Sequence, residues 1–162
     1  MLFQRVNRSN PEKVFIVAKN SYSTASLTNG QAVIWDWTTD GDGVGVTLAT
    51  ATTNVSMGID VAGIASETIA SGDYGLLQVY GYHSAVRVRT MTTTSHVYNE
   101  SLAAVAKGTA LCGGITAVFA LEGIAPTTTA GAPSHSLVPC GFALAAQASF
   151  TTKAIAVFLK CL

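Results

Sequence analysis

The sequence has few charged side chains. Only 11% of its 162 residues are Asp, Glu, Lys or Arg, against about 25% in typical soluble domains. Nine basic residues balance nine acidic ones, so the formal net charge is zero, and the mean hydropathy is +0.39. The basic excess that drives binding to nucleic acid is missing. Because a neutral, weakly charged surface favours association, we expect the chain to work inside an assembly and not on nucleic acid.

Cysteine is also scarce. The chain has three, Cys112, Cys140 and Cys161, at wide spacings and with no Cys-x-x-Cys pair. This pattern predicts neither a disulfide framework nor a zinc site. We expect small buried thiols in a protein made in a reducing cytoplasm.

Long apolar segments are missing as well. The stretch 102–121 comes nearest to a membrane span, but it contains Lys107 and three glycines, whereas a span needs about 20 predominantly apolar residues. The first five residues place Arg5 after a short apolar start, and no apolar signal-peptide core follows. We therefore expect no membrane partner and no export.

Sequence motifs of catalysis are absent. The chain has no Gly-x-Ser-x-Gly elbow, no His-Glu-x-x-His and no Walker A lysine, so we predict no enzyme activity and no cofactor. His83 is expected to be a hydrogen-bonded residue at a strand end, and His96 and His135 are expected to lie in loops. A triad assembled from distant residues is the alternative.

One acidic loop could suggest a metal. Asp40 and Asp42 alternate with glycines, but the position that should hold the bidentate Glu of a calcium loop is Ala49. The segment 40–43 therefore predicts a tight turn between strands, with calcium binding as the alternative.

Small residues and short apolar runs are what the sequence has in abundance. Ala, Thr, Gly and Ser account for 72 of the 162 residues, and apolar runs of strand length are separated by turn-forming residues. These runs are 14–17, 32–35, 44–48, 76–82, 85–88, 115–121 and 154–159. They predict an all-β chain, a single-domain sandwich or barrel of short antiparallel strands. At most one short helix is expected, over 99–108, where Asn99 could cap it and Gly108 could end it.

Charge is segregated along the chain although it sums to zero. Residues 1–19 carry a net charge of +3, residues 20–86 carry −6, and the remainder carries +3. Such a chain can offer complementary faces to copies of itself or to a scaffold. We divide it into an extended N-terminal arm, residues 1–13, and one β-rich domain, residues 14–162.

Two tryptophans are two positions apart. In a strand, Trp35 and Trp37 would share one face, with Asp36 on the other. Such aromatic pairs usually lie in a core or a subunit interface, and the alternative is a stacking platform for a sugar ligand.

The segment 63–81 carries the most distinctive pattern. Gly63-Ile64-Ala65 is followed by Ile69-Ala70-Ser71-Gly72-Asp73-Tyr74-Gly75 and then by an apolar strand containing Gln78-Val79. This pattern resembles one found in small head proteins of tailed bacteriophages. The resemblance implies a capsid decoration, or cement, protein: a small β-rich subunit, commonly trimeric, that docks on the outside of the mature head and staples neighbouring capsomers. It implies no catalytic residue.

The resemblance gives the following expectations. The chain is a structural virion protein on the capsid exterior, made in the host cytoplasm, with the major capsid protein and its own homotrimer as partners. From their charge and position in the sequence, and not from the resemblance, Phe3, Arg5 and Arg8 of the arm are candidate contact residues that would lie against an acidic capsid surface. Trp35 and Trp37 are candidates because of their spacing. The alternative function is a carbohydrate- or host-surface-binding module of a head fibre.

Overall fold

The computed structural model describes residues 12–47, 61–90, 104–113, 120–123, 139–148 and 151–161. Within these ranges the chain forms nine strands and no helix, which confirms the predicted all-β class. The strands are β1 (Lys13–Asn20), β2 (Ala32–Trp35), β3 (Gly45–Thr47), β4 (Val61–Ala65), β5 (Tyr74–Arg89), β6 (Ala110–Gly113), β7 (Leu121–Gly123), β8 (Gly141–Ala143) and β9 (Lys153–Lys160).

The nine strands belong to one sheet that closes on itself twice. Their order is β1-β3-β2-β4-β5-β7-β6-β8-β9, and β5 pairs additionally with β1 and with β9. These two extra pairings produce two five-stranded rings that share β5. The 16 residues of β5 make this possible, because its first half pairs with β1 and its second half with β9. Two pairings, β1 with β3 and β5 with β7, are parallel instead of antiparallel.

Two clusters of buried apolar side chains form the core. The smaller one includes Leu27, Val33 and Leu77, and the larger one includes Ala32 and Leu159. Successive residues of β2, Ala32 and Val33, therefore belong to different clusters, as expected for a strand whose two faces are both covered. Every residue of β4 is buried for the same reason. Strands β2 and β4 thus form a wall between the two clusters.

A single long strand replaces two predicted ones. The sequence predicts separate strands at 76–82 and 85–88, but β5 runs through the polar pair His83-Ser84. The pairing of β5 with β9 shifts register between His83 and Val86, and the Ala85 N–H donates to His83 Nδ1 at 3.2 Å. A bulge of this kind accommodates an extra residue without ending the strand.

The predicted helix competes with long-range pairing. The described part of the segment, residues 104–108, is not helical: Val105 forms an antiparallel bridge with Gln147, with both N–H···O distances at 2.7 Å. Gly108 lies in a turn with φ of 89°. A short isolated helix is marginal in water, so bridge formation is enough to override its local signals. Residues 99–103 lie outside the described residues.

The glycines of the phage-like motif have two different structural roles. Gly72 has φ of 83° and turns the chain into β5, a conformation that glycine adopts at no steric cost. Gly75 is needed for packing, because a Cβ there would lie 2.4 Å from Ile69 Cγ1. Ile69, Gly72 and Gly75 therefore belong to one compact turn, and this turn accounts for their spacing in the sequence.

Candidate docking surface

Exposed apolar side chains are concentrated on two neighbouring strands. Phe15 and Val17 of β1 and Tyr74 and Leu76 of β5 are all exposed, and the exposed fraction reaches 63% for both Val17 and Tyr74. Val17 pairs directly with Leu76 in the antiparallel ladder. Single exposed apolar residues are ordinary, whereas contiguous ones mark interaction sites. We call these four side chains the β1/β5 face.

The alternation of the strands produces this face. Ile16 and Ala18 of β1 and Leu77 of β5 pack into the smaller core cluster. Because successive side chains of a strand point to opposite sides, Phe15 and Val17 must then point outward. The strand is apolar on both sides, and within the part of the chain that the structure describes a core covers only one of them.

The same strand has an open backbone edge. The Asn20 N–H donates to the Asp73 carbonyl on the β5 side, whereas the Lys19 N–H donates to the Val44 carbonyl on the other side, both at 2.9 Å. Backbone groups alternate along a strand, so those of Phe15 and Val17 point away from β5. Pairing with β3 begins only at Lys19. Within the described ranges, residues 13–18 therefore have no neighbouring strand on that side.

The charges of β1 are both positive and lie at its two ends, at Lys13 and Lys19. Both occupy the alternate positions that include Phe15 and Val17. The electrostatic effect of Lys13 reaches His83: burial and the Lys13 charge together hold the pKa of His83 below its ordinary value. The open edge is therefore an apolar strand with a positive charge near each end.

The two tryptophans have different environments. Strand β2 ends at Trp35, whose half-buried ring packs against the smaller core cluster. Trp37 lies in the following turn and is 59% exposed. Their ring centroids are 6.1 Å apart with planes at 44°. The pair therefore does not share one strand face, and only Trp37 presents most of its ring to solvent.

Asp36 anchors the turn that holds Trp37. Its buried carboxylate accepts hydrogen bonds from the Thr38 N–H at 3.3 Å, the Thr38 hydroxyl at 2.9 Å and the Thr39 N–H at 3.2 Å, and a further one from the Thr39 hydroxyl. Burial raises the pKa of Asp36, but the hydrogen bonds from Thr39 and Thr38 together outweigh burial and leave that pKa below its usual value.

Asp36 should therefore make stability pH-dependent. A carboxyl with a lowered pKa stabilises the fold fully above its unfolded pKa of about 3.9, and that contribution is lost as the pH falls through the lower folded pKa. We expect Asp36→Asn to lower the free energy of unfolding by about 1 kcal/mol at pH 7, and to converge with wild type in strong acid. Urea midpoints measured at pH 7, 5, 4 and 3 test this, and a constant difference across the series would contradict it.

The remaining candidate groups are the arm residues, the cysteines and the acidic loop. Phe3, Arg5 and Arg8 lie outside the described residues. The Cys140 thiol donates to the Leu111 carbonyl at 3.3 Å, and its contact with the Cys161 thiol and its burial raise the pKa of Cys140. Asp40 Oδ1 accepts the Asp42 N–H at 3.2 Å in the predicted turn.

The described residues contain no cluster of metal ligands and no membrane-spanning helix. No group of three His, Cys, Asp or Glu side chains in these ranges is placed to hold a metal ion. The same part of the chain contains no helix with the length and apolar character needed to cross a bilayer.

Sequence reasoning missed the β1/β5 face. The available signal was the run Val14-Phe15-Ile16-Val17-Ala18, in which both alternating sets of side chains are apolar. Such a run is typical of a strand covered on both sides, and only the structure shows that the described residues leave one side of β1 uncovered.

Comparison with known proteins gives little similarity. No protein family model matches the chain, and no curated protein matches its sequence. Among solved structures it is similar to the head fiber gp8.5 N base of bacteriophage phi29, with 12% sequence identity and a TM-score of 0.45, over 91% of this chain and 94% of that chain. A likeness of this size carries no assignment of fold or function.

Proposed function

We propose that the chain is a structural protein of a bacteriophage virion, a capsid decoration or cement subunit. It binds the outer surface of the phage head and staples neighbouring capsomers through multivalent non-covalent contacts. The major capsid protein and further copies of the chain are its partners, and its place is the capsid exterior.

The observation that carries this proposal is the β1/β5 face. Phe15, Val17, Tyr74 and Leu76 form a contiguous exposed apolar surface, which is typical of a protein-protein contact site. The low charge of the whole chain suits a subunit whose surface is covered in an assembly. The phage-like pattern of residues 63–81 supports a phage head as that assembly.

Multivalency supplies the affinity of such a subunit. Three linked copies release a head only when all three contacts break, so modest individual contacts give tight overall binding. We therefore propose a homotrimer as the working unit. Light scattering should give a mass near three times 16.7 kDa, independent of dilution, and a monomer that persists at all concentrations would remove the avidity argument.

Co-sedimentation with heads of the phage that encodes the chain tests the function. We expect the full chain to pellet with heads lacking it, and deletion of residues 1–10 to weaken binding about tenfold through loss of Phe3, Arg5 and Arg8. The deletion should leave the thermal unfolding temperature unchanged, because strand β1 begins only at Lys13. Full binding by the truncated chain would remove the arm from the proposal, and no binding by the full chain would overturn the proposal itself.

A specific observation favours one alternative, a carbohydrate- or host-surface-binding module of a head fibre. The Trp37 ring is exposed beside the hydroxyl-rich turn of Thr38 and Thr39, and exposed aromatic rings can stack on a ligand. Saturable change of Trp fluorescence on titration with host polysaccharide, lost in Trp37→Ala, would support this alternative against decoration.

A further inference from the structure

We propose that the open edge of β1 binds an extended segment of the major capsid protein as an added β-strand. The segment places apolar side chains on the β1/β5 face and acidic side chains beside Lys13 and Lys19. This inference rests on the proposed function, since it identifies the partner segment of that function by its chemistry.

The backbone defines the kind of partner. The N–H and C=O groups of Phe15 and Val17 point away from β5, and the described residues place no strand beside them. An extended chain can pair with the whole alternating row of donors and acceptors at once, which is how peptides add to exposed sheet edges. Because β3 joins at Lys19, the added strand can pair with residues 13–18, a length of about 20 Å at 3.3 Å per residue.

The side chains define its sequence pattern. Directly opposite residues of paired strands lie about 5 Å apart and interact. Lys13, Phe15 and Val17 occupy alternate positions on one side of β1, and Lys19 follows at the point where β3 occupies the edge. The complementary strand therefore has the pattern acidic-x-apolar-x-apolar-x-acidic, in which the acidic residue near Lys19 lies just beyond the paired stretch. This pattern is the same in both directions, so it fits a parallel or an antiparallel strand.

Charge favours a capsid segment over a second copy of β1. Antiparallel pairing of two open β1 edges centred on Ile16 would bring Lys13 of each copy next to Lys19 of the other at both ends, and neighbouring like charges destabilise a strand pair. The net charge of +3 over residues 1–19 strengthens attraction to an acidic strand in the same region.

Two synthetic peptides test the edge in the isolated full chain. The probes are Glu-Thr-Val-Thr-Val-Thr-Glu and Lys-Thr-Val-Thr-Val-Thr-Lys, both acetylated and amidated, titrated while the backbone amide signals are recorded by NMR. We expect the acid-ended peptide to bind at least about fivefold more tightly, with the largest shifts at Phe15 and Val17. Equal binding of both peptides, no binding, or shifts centred on other strands would overturn the inference.

Charge exchange provides the sharper form of this test. In the double variant Lys13→Glu/Lys19→Glu, the lysine-ended peptide should become the tighter ligand by a similar factor. An unchanged preference for the acid-ended peptide would overturn the assignment of the two lysines. Both side chains lie outside the core clusters, so the variant is expected to fold.

Head binding then connects the edge to the function. Val17→Asp should abolish co-sedimentation with heads, whereas the control Phe142→Asp should retain it. Phe142 is also an exposed apolar residue, 37% exposed, but β8 has neighbours on both sides, β6 and β9. If Val17→Asp binds heads normally, or instead lowers the native mass, the capsid strand is not the occupant. If the wild-type chain binds the acid-ended peptide but does not bind heads, the proposed function is wrong. The preference of the β1 edge for an acidic strand would still hold in that case.

Discussion

We expect Gly30→Ala to lower the free energy of unfolding by about 3 to 5 kcal/mol. Gly30 has φ of 84°, and a Cβ at this position would lie 2.1 Å from the Ala85 carbonyl oxygen. That oxygen belongs to the backbone of β5, so it cannot rotate away as a side chain would. Two costs therefore add, the left-handed backbone conformation and the steric clash.

The surroundings of Gly30 leave little room to relax. Its N–H donates to the Ala65 carbonyl and its own carbonyl accepts the Arg87 N–H, both at 2.8 Å. The loop is thus tied to β4 and to β5 at once. The Arg87 guanidinium adds a third tie, a hydrogen bond to Thr28 Oγ1 at 3.0 Å. Moving Gly30 away from Ala85 would break these bonds.

A matched glycine separates the two costs. Gly72 has nearly the same φ, 83°, but a Cβ there would meet no atom within 4 Å. Gly72→Ala should therefore show only the conformational cost, about 1 kcal/mol. Urea unfolding of both variants measures the difference. Equal destabilisation of the two would show that the contact with Ala85 contributes nothing.

The sequence predicts the individual strands better than their arrangement. Strand β2 coincides with the apolar run 32–35, and β9 exceeds the run 154–159 by one residue at each end. Alternation and turn residues determine these elements locally. The double closure through β5 depends on pairings between distant residues, such as Val14 with Tyr80, and no local pattern encodes them.

The candidate site, like the fold, can be predicted from the sequence only in its local features. The turn of the phage-like motif could be predicted, because the positive φ of Gly72 is a local property. The exposure of Val17 could not, because it depends on which side of β1 packs against the core. Short strands such as β8, three residues long, were also missed, since a strand of that length has too few residues for a periodic signal.

Gln78 belongs to the phage-like pattern and supports β5, the strand that the two rings share. Its side chain is 1% exposed, and its Nε2 donates to the carbonyls of Tyr80 and Tyr82, both at 3.1 Å. Between these two residues lies Gly81, with φ of 96°. The register between β5 and β1 shifts close to this point, because Val14 pairs with Tyr80 whereas Phe15 pairs with Gln78. The amide therefore braces β5 where it passes from one ring to the other.

Loss of this amide should be costly. In Gln78→Leu the volume is nearly kept but the Tyr80 and Tyr82 carbonyls lose their donor, which we expect to lower the free energy of unfolding by about 2 to 4 kcal/mol at pH 7. Gln78→Glu should be worse at neutral pH, because a buried carboxylate faces two carbonyl oxygens.

The pH dependence of the two variants distinguishes the donor from mere packing. Burial raises the folded pKa of a glutamate above its unfolded value, so stability is gained as the pH falls through that raised pKa. The protonated acid can also donate to one carbonyl. We therefore expect Gln78→Glu to recover stability relative to Gln78→Leu between pH 7 and pH 4, as followed by urea midpoints. A difference between the two variants that does not change with pH would show that the side chain at position 78 is not held against those carbonyls.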